Sequence, residues 1–339
     1  MSEKVRLKDI ADALGVSIVT ASNALSGKKG VSDSMRQKIV GKAKELGYDA
    51  DKYNTEAERS PSFGVIVSGR YISVGTSFYW ELYQKTAYAA SKKHSFTMLE
   101  IVTYEDEVQC VPPQMLSSDE IEGIIVIGRM DGAYMKKIVA GSVVPVVLLD
   151  FYNPSFGCDA VLSGNYLGMY KATKYLIDHG HKEIGFVGTI ELSDNIRDRY
   201  FGYLKAMKEN SLAVREEWIL PDRDLVTMHG EVRLPEDLPT AFACSSDYTA
   251  GLLYDALMKK GLEIPRDISC VGYDDYIYGH PLTGKLTTYR ADTEKMAELA
   301  VSILKKKVRN GESYRGAHYV DGPVIERCSV LPAGTADWG

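Results

Sequence analysis

The chain has 339 residues, of which 45% are hydrophobic and 25% charged, and carries a formal net charge of −6. That balance is ordinary for a globular protein; it excludes disordered and collagen-like chains, and the length implies two or three domains. No stretch approaches the roughly 18 uncharged apolar residues of a membrane span, and the N-terminus has no apolar signal-peptide core, so a cytoplasmic protein is expected.

In chain order, the first pattern is LKDIADALGVSIVTASNAL, residues 7–25. Leu7, Ile10, Ala11 and Leu14 recur at three- and four-residue spacing and predict a short amphipathic helix. Gly15 follows, suited to the positive φ of a helix exit. Ser17 stands where an N-cap belongs. The next helix can turn Ala21, Ala24 and Leu25 inward and show Ile18, Val19, Thr20, Ser22 and Asn23 outward. This is the grammar of a helix-turn-helix whose second helix enters the major groove. Ser32 is expected to cap a third helix with Met35, Ile39, Ala43 and Leu46 as its apolar stripe, closed by Gly47.

Residues 49–62, DADKYNTEAERSPS, are polar, end on Pro61–Ser62 and read as a linker. Residues 1–60 are net +2 and the remainder net −8, so the opening domain is the cationic end. A sum so small implies few phosphate contacts per copy and calls for two copies acting together.

From Phe63 onward, apolar runs alternate with helical patterns. The runs are 64–69, 96–102, 122–128, 144–151, 183–188, 240–247 and 268–275. Near-continuous Val, Ile and Leu suit parallel strands covered on both faces, and repeated β-then-α units imply doubly wound sheets in two similar lobes. Ligands of such sheets collect beyond the carboxyl ends of the strands. Asp150, Ser246, Asp247, Asp274 and Asp275 fall at such ends, with Arg199 and Asn195 near the start of a helix. Carboxylates accepting from adjacent hydroxyls, beside an arginine fork, suit a polyhydroxylated ligand. Each strand-end acid could equally cap the following helix. Phe78, Tyr79 and Trp80 offer rings that could stack on a sugar or base, with one of the three assigned to packing.

Residues 7–25 with their continuation KGVSDSMRQKIVGKAKELGY resemble the headpiece of the LacI family of transcription regulators. Asp9, Ala11, Gly15, Val16, Ser17, Thr20, Ser22 and Leu25 stand in the family's pattern, as do Val31, Ser32, Arg36, Ala43, Leu46, Gly47 and Tyr48. The remainder resembles the type I periplasmic-binding-protein fold that these regulators carry behind the headpiece. The resemblance implies a small all-α helix-turn-helix headpiece (1–48), a hinge (49–62), and an α/β effector-binding and dimerisation domain (63–339) of two doubly wound parallel-sheet lobes. Lobe 1 would comprise about 63–161 and 291–320, and lobe 2 about 162–290 and 321–339.

It further implies that positions 18, 19 and 23 read bases, here Ile18, Val19 and Asn23. Asn pairs bidentately with adenine, which predicts an A·T-richer half-site. Ser17, Thr20, Ser22 and Ser32 complete the expected DNA-contacting set. In the family the hinge becomes a helix on DNA and a leucine wedges into the minor groove. Here that position is Ala57, the usual proline is Ala50, and Asp49, Asp51 and Glu56 crowd the segment. Arg199, three residues before Gly202, matches the family's effector-binding arginine; Asp274 and Asp150 match ligand-contacting acids, and Phe78 and Tyr79 the aromatic pair of the cleft. Asn195 and Asp247 are further cleft candidates.

The function so implied is a homodimeric repressor of carbohydrate-utilisation genes. Its operator affinity would be set by a small effector between the lobes: a sugar or sugar derivative, or else a nucleoside or base. A transport receptor for sugars shares the lobed fold, but would carry a signal peptide and no headpiece. An enzyme is disfavoured, since no GxGxxG, GxxxxGK[ST] or GxSxG motif occurs. Beyond His179 and His181, which flank a helix-ending glycine where the dipole favours histidine, the six histidines show no metal-ligand spacing and the five widely spaced cysteines no CxxC pair, so no metal, cofactor or disulfide is expected, only buried free thiols.

Overall fold

A computed structural model describes residues 5–25, 30–48, 61–72, 77–225, 227–311 and 315–334. The expected hinge, Ala50 and Ala57 included, lies outside the described residues up to Ser60. The chain divides into two compact units, Met1–Ser60 and Pro61–Gly339.

In the first unit, α1 (Leu7–Leu14), α2 (Ile18–Leu25) and α3 (Asp33–Glu45) share one small core. Ile10, Ala11, Ala21, Ala24, Ile39, Ala43 and Tyr48 are buried in it, and the alanines let the helices pack closely. Asp9 accepts the Arg6 backbone N–H at 2.7 Å at the start of α1, and Gly15 ends that helix with a φ of 63°. The Ser17 hydroxyl accepts the Thr20 N–H at 3.0 Å, an N-cap for α2. At the other end of α2, Arg36 of α3 donates to the Ala24 carbonyl at 2.9 Å, occupying an acceptor that the helix end leaves open. Ser32 holds the N-cap position of α3, but its side chain makes no capping bond; the hydroxyl lies 3.4 Å from that of Ser34 instead.

The second unit holds two six-stranded sheets, ordered β11-β5-β4-β3-β1-β2 and β12-β10-β9-β8-β6-β7. The first comprises β1 (Ser62–Ser68), β2 (Phe96–Val102), β3 (Gly123–Ile127), β4 (Val146–Leu149), β5 (Asp159–Ser163) and β11 (Ala317–Val320), all parallel. Because side chains alternate across a strand, Phe63, Val65 and Val67 meet α4 (Phe78–Lys92) and α10 (Thr293–Asn310) on one face. Ile66, Ile124, Val126 and Leu148 meet α6 (Gly132–Gly141) on the other, with α5 (Tyr104–Gln109) beyond the end of β2. Each such fully buried aliphatic side chain stabilises the lobe by about 1.5–3 kcal/mol, which explains why these strands read as continuous apolar runs.

The second sheet comprises β6 (Ile184–Val187), β7 (Ile219–Leu220), β8 (Ala241–Cys244), β9 (Ser269–Asp274), β10 (Thr287–Arg290) and β12 (Val324–Ile325). It is parallel except for β12, which runs antiparallel to β10. Met169, Ala172 and Leu176 of α7 (Asn165–Asp178) and Tyr203 and Met207 of α8 (Asp194–Glu209) cover one face; α9 (Asp247–Lys259) covers the other. At Gly202 a Cβ would stand 2.1 Å from the Tyr166 carbonyl oxygen, so only glycine lets α8 lie this close to α7.

The chain passes between the lobes three times: from β5 to α7, from β10 to α10, and from β11 to β12. All five cysteines are free; Cys158, Cys244 and Cys270 are buried, whereas Cys110 is half-buried and Cys328 exposed, against the expectation of burial for all. No helix among the described residues is long and apolar enough to cross a membrane.

Candidate effector cleft and nucleic-acid interface

The carboxyl ends of both sheets open on one cavity of about 760 Å³. Phe78, Tyr79, Asp150, Asn195, Arg199 and Asp274 line it together. Asp150 follows the last residue of β4 and Asp274 ends β9, so each lobe contributes a strand-end acid. Both have left-handed backbones, with φ of 66° and 106°. For a residue with a Cβ that conformation costs about 1–3 kcal/mol and tends to mark functional positions.

Arg199 reaches the cleft from the first turns of α8 and ties the lobe-2 wall together. It donates through Nε to Asn165 Oδ1 at 2.8 Å and through one terminal nitrogen to the Ser245 carbonyl at 2.7 Å. The other terminal nitrogen lies 3.3 Å from Asp274 Oδ1, a charge contact without hydrogen-bond alignment, and the guanidinium sits 3.7 Å over the Tyr273 ring. Across the cleft, Tyr79 donates to Asp150 Oδ2 at 3.1 Å, and Asn195 donates to the Asp150 carbonyl at 2.8 Å, bridging the lobes. Tyr71 stacks on Tyr79 with ring centroids 4.3 Å apart, and Phe78 meets Tyr79 edge-on. Gly128, at a φ of 75°, lets this wall form, since a Cβ there would lie 2.8 Å from Tyr71 and 2.9 Å from Tyr79.

Burial pushes the Asp150 carboxyl up to about 6, against the pull of Arg199. Burial likewise pushes Asp274 up to about 7; Arg199 opposes the rise and Asp150 adds to it. Two buried acids share one guanidinium, so they titrate as a pair. Asp150 Oδ1 and Asp274 Oδ1 are buried without a hydrogen-bond partner. An orphaned buried acceptor is costly, and a ligand hydroxyl would satisfy each.

Not every expected residue belongs here. Asp247 is absent from the lining: its Oδ1 accepts from Thr288 at 2.6 Å and its Oδ2 from the Tyr276 N–H at 2.8 Å, so it is a buried structural anchor. Asp275 pairs with Arg290 and Arg327, each at 2.7 Å. Ser246 lines the cleft, but its hydroxyl caps α9 through the Thr249 N–H at 3.1 Å. Trp80, half-buried, is absent from the lining and packs on Tyr83, while Phe78 and Tyr79 also pack against the lobe-1 core.

Sequence reading missed Arg70, Tyr71, Glu107, Arg129, Asp131 and Arg223, all of which line the cleft. Arg70, Arg129 and Asp131 follow strand ends, the one signal that could have found them; Arg223 lies in an irregular loop after β7. A second groove of about 910 Å³ lies along α7 and α8, lined by Tyr166, Leu167, Phe201, Leu204 and Tyr319. Although larger, it is open and mostly apolar and contains none of the expected ligand-binding residues, so the interlobe cavity is the better candidate.

On the headpiece, Ile18 and Val19 are exposed at the start of α2, 48% and 67% respectively, with Thr20, Ser22 and Asn23 half-buried beside them. Exposed aliphatic side chains at a helix start are of no use to the headpiece core and suit contact with thymine methyls.

A helix-turn-helix unit joined in one chain to a two-lobed α/β sensor defines a ligand-responsive DNA-binding regulator. The family described as "Bacterial regulatory proteins, lacI family" matches residues 6–51, and "Periplasmic binding protein-like domain" matches residues 173–330. The chain is 28% identical over 320 residues to a ribose operon repressor of Haemophilus influenzae, covering 91% of this chain and 94% of that protein. It is 27% identical over 310 residues to the HTH-type transcriptional repressor PurR of Actinobacillus pleuropneumoniae, covering 89% and 91%. In fold it is similar to the transcriptional regulator CelR in complex with cellobiose, with a TM-score of 0.66 at 18% identity over 96% of this chain and 99% of that one. The chain belongs to the LacI family of DNA-binding repressors, regulators rather than enzymes.

Proposed function

We propose that the protein represses carbohydrate-utilisation genes and that its effector is a sugar or sugar derivative held between the lobes. The observation that carries this reading is the convergence of Asp150, Arg199 and Asp274 on one cavity, with Asp150 Oδ1 and Asp274 Oδ1 buried and without a hydrogen bond, the latter in charge contact with Arg199. Acceptors beside a planar donor fork match the hydroxyls of a polyol, and the Tyr79 and Phe78 rings match its apolar ring face. A relative named for the ribose operon and a similarly folded regulator bound to cellobiose point the same way.

Ligand-dependent closure of the lobes would be linked to operator affinity through a coupling free energy. The weak positive charge of the headpiece makes a homodimer the expected working unit. On the DNA, Asn23 would read adenine while Ile18 and Val19 meet thymine methyls. The test of the cleft is calorimetric titration of the full chain with hexoses, pentoses and disaccharides. At least one should bind, and Asp274→Ala should weaken it by about tenfold or more. Binding indifferent to Asp274→Ala would remove the cleft from the account. Selection from random DNA that returned guanine as the invariant partner of Asn23 would do the same for the base-reading assignment.

A further inference from the structure

Beyond Asp150, Arg199 and Asp274, the cleft carries a second polar cluster, built around guanidinium groups. Arg70 of lobe 1 and Arg223 of lobe 2 both line the cavity, and each is fixed from behind by a fully buried carboxylate. Glu107, 1% exposed, pairs with Arg70 and accepts from the Ser68 hydroxyl at 2.5 Å and the Asp131 N–H at 2.9 Å. Asp222, fully buried, accepts from Arg223 Nε at 3.1 Å and from a terminal nitrogen at 2.6 Å. It also accepts from the Thr189 N–H and hydroxyl at 2.9 and 2.8 Å and from the Thr249 hydroxyl at 2.9 Å. Burial acts upward on Asp222, yet Arg223 and Thr189 hold it below the usual carboxylate range, so this anchor stays charged.

Burying a carboxylate this completely is costly. Here the result is two guanidinium groups held in set orientations on opposite walls of one cavity. Each retains a terminal nitrogen that bonds to nothing among the described residues: Arg70 uses Nε on Ser68 and one terminal nitrogen on Glu107, Arg223 uses Nε and one terminal nitrogen on Asp222. A third guanidinium, Arg129, lines the same cavity with no side-chain hydrogen bond or ion pair among the described residues. It stands beside the aromatic wall, its carbonyl accepting from the Tyr71 hydroxyl at 2.6 Å. Asp131, the one acid lining the cavity among the described residues besides Glu107, Asp150 and Asp274, caps α6 through Oδ1, accepting from the Ala133 N–H at 2.8 Å and the Tyr134 N–H at 3.0 Å.

We infer that the effector is an anionic sugar derivative. Its hydroxyl-rich end would face Asp150, Arg199 and Asp274, and its carboxylate or phosphate would be held by Arg70, Arg129 and Arg223. Guanidinium groups are the side chains best matched to these oxyanions, and an anion bound from both walls would favour closure. The inference rests on the cleft being the effector site.

The test is titration of the full chain with three matched sets: glucose, galactose and ribose; gluconate, galacturonate and ribonate; glucose 6-phosphate and ribose 5-phosphate. A member of one anionic set should bind about tenfold or more tightly than its neutral parent, and added salt should shrink that ratio. The favoured set tells carboxylate from phosphate. Arg129→Gln should reduce the ratio of anionic to neutral affinity several-fold. Neutral sugars binding as tightly as their acids and phosphates would overturn the anionic end while leaving the cleft in place. A protein that still binds operator DNA but none of the three sets would overturn the cleft reading and this inference with it.

Discussion

Asp274 illustrates how much one position is asked to do: it ends a central strand, takes a left-handed backbone and shares Arg199 with Asp150. Because burial raises the folded-state pKa of both acids, the folded chain holds more protons than the unfolded one between about pH 4 and 7. Their contribution to stability is therefore greatest at the acid end and is lost as pH rises through that window. Asp274→Asn removes one of the two titrations, so the variant should gain stability relative to wild type from pH 4 to 7, on the order of 1 kcal/mol per pH unit at most. Thermal melts of both proteins across that range would show it; parallel curves would mean that the pair does not titrate there.

Residue by residue, the sequence was most readable where chemistry sits at a strand end. Asp150 and Asp274, which line the cavity, are picked out that way, and so is Asp247, which is structural because Thr288, far along the chain, arrives to occupy it. Nothing local distinguishes a strand-end acid that faces a cavity from one that a later strand covers.

At the scale of elements, the long apolar runs were legible because parallel strands buried on both faces leave no polar side to the pattern. The strands that escaped notice are β5, β7, β10, β11 and β12: β7 and β12 are two residues long, β11 is partly exposed, and β5 (DAVLS) and β10 (TTYR) mix apolar residues with polar ones. The apolar residues of β1, β3 and β4 need no partner to be recognised, whereas β12 is two residues long and exists only because β10 pairs with it. Gly202→Ala tests the α7–α8 contact, since its Cβ would collide with backbone rather than a yielding side chain. It should destabilise the sensor by about 2–4 kcal/mol, read as a lower urea midpoint. In the headpiece, Arg36→Ala would unfasten the end of α2 from α3 and cost about 1–2 kcal/mol, with weaker DNA binding as the visible result.

For the whole molecule, β2 lies at the edge of its sheet with Phe96, Met98 and Ile101 exposed. An apolar edge strand is a liability unless another chain covers it, which makes it the natural seat of the proposed dimer. Ile101→Glu should move the protein from dimer to monomer in sedimentation and weaken operator binding together with it. A wild-type chain that sediments as a monomer at micromolar concentration would instead leave that edge without a role.

If a small molecule in the interlobe cleft controls DNA affinity, operator binding must differ with and without that ligand. Fluorescence anisotropy would follow the full chain on its selected operator fragment, with neutral sugars, sugar acids and sugar phosphates each titrated in. One of these compounds should shift operator affinity by about five- to 150-fold in the wild type and leave Arg199→Ala unmoved. Specific, salt-sensitive operator binding that none of them shifts would rule out control by a ligand of these classes.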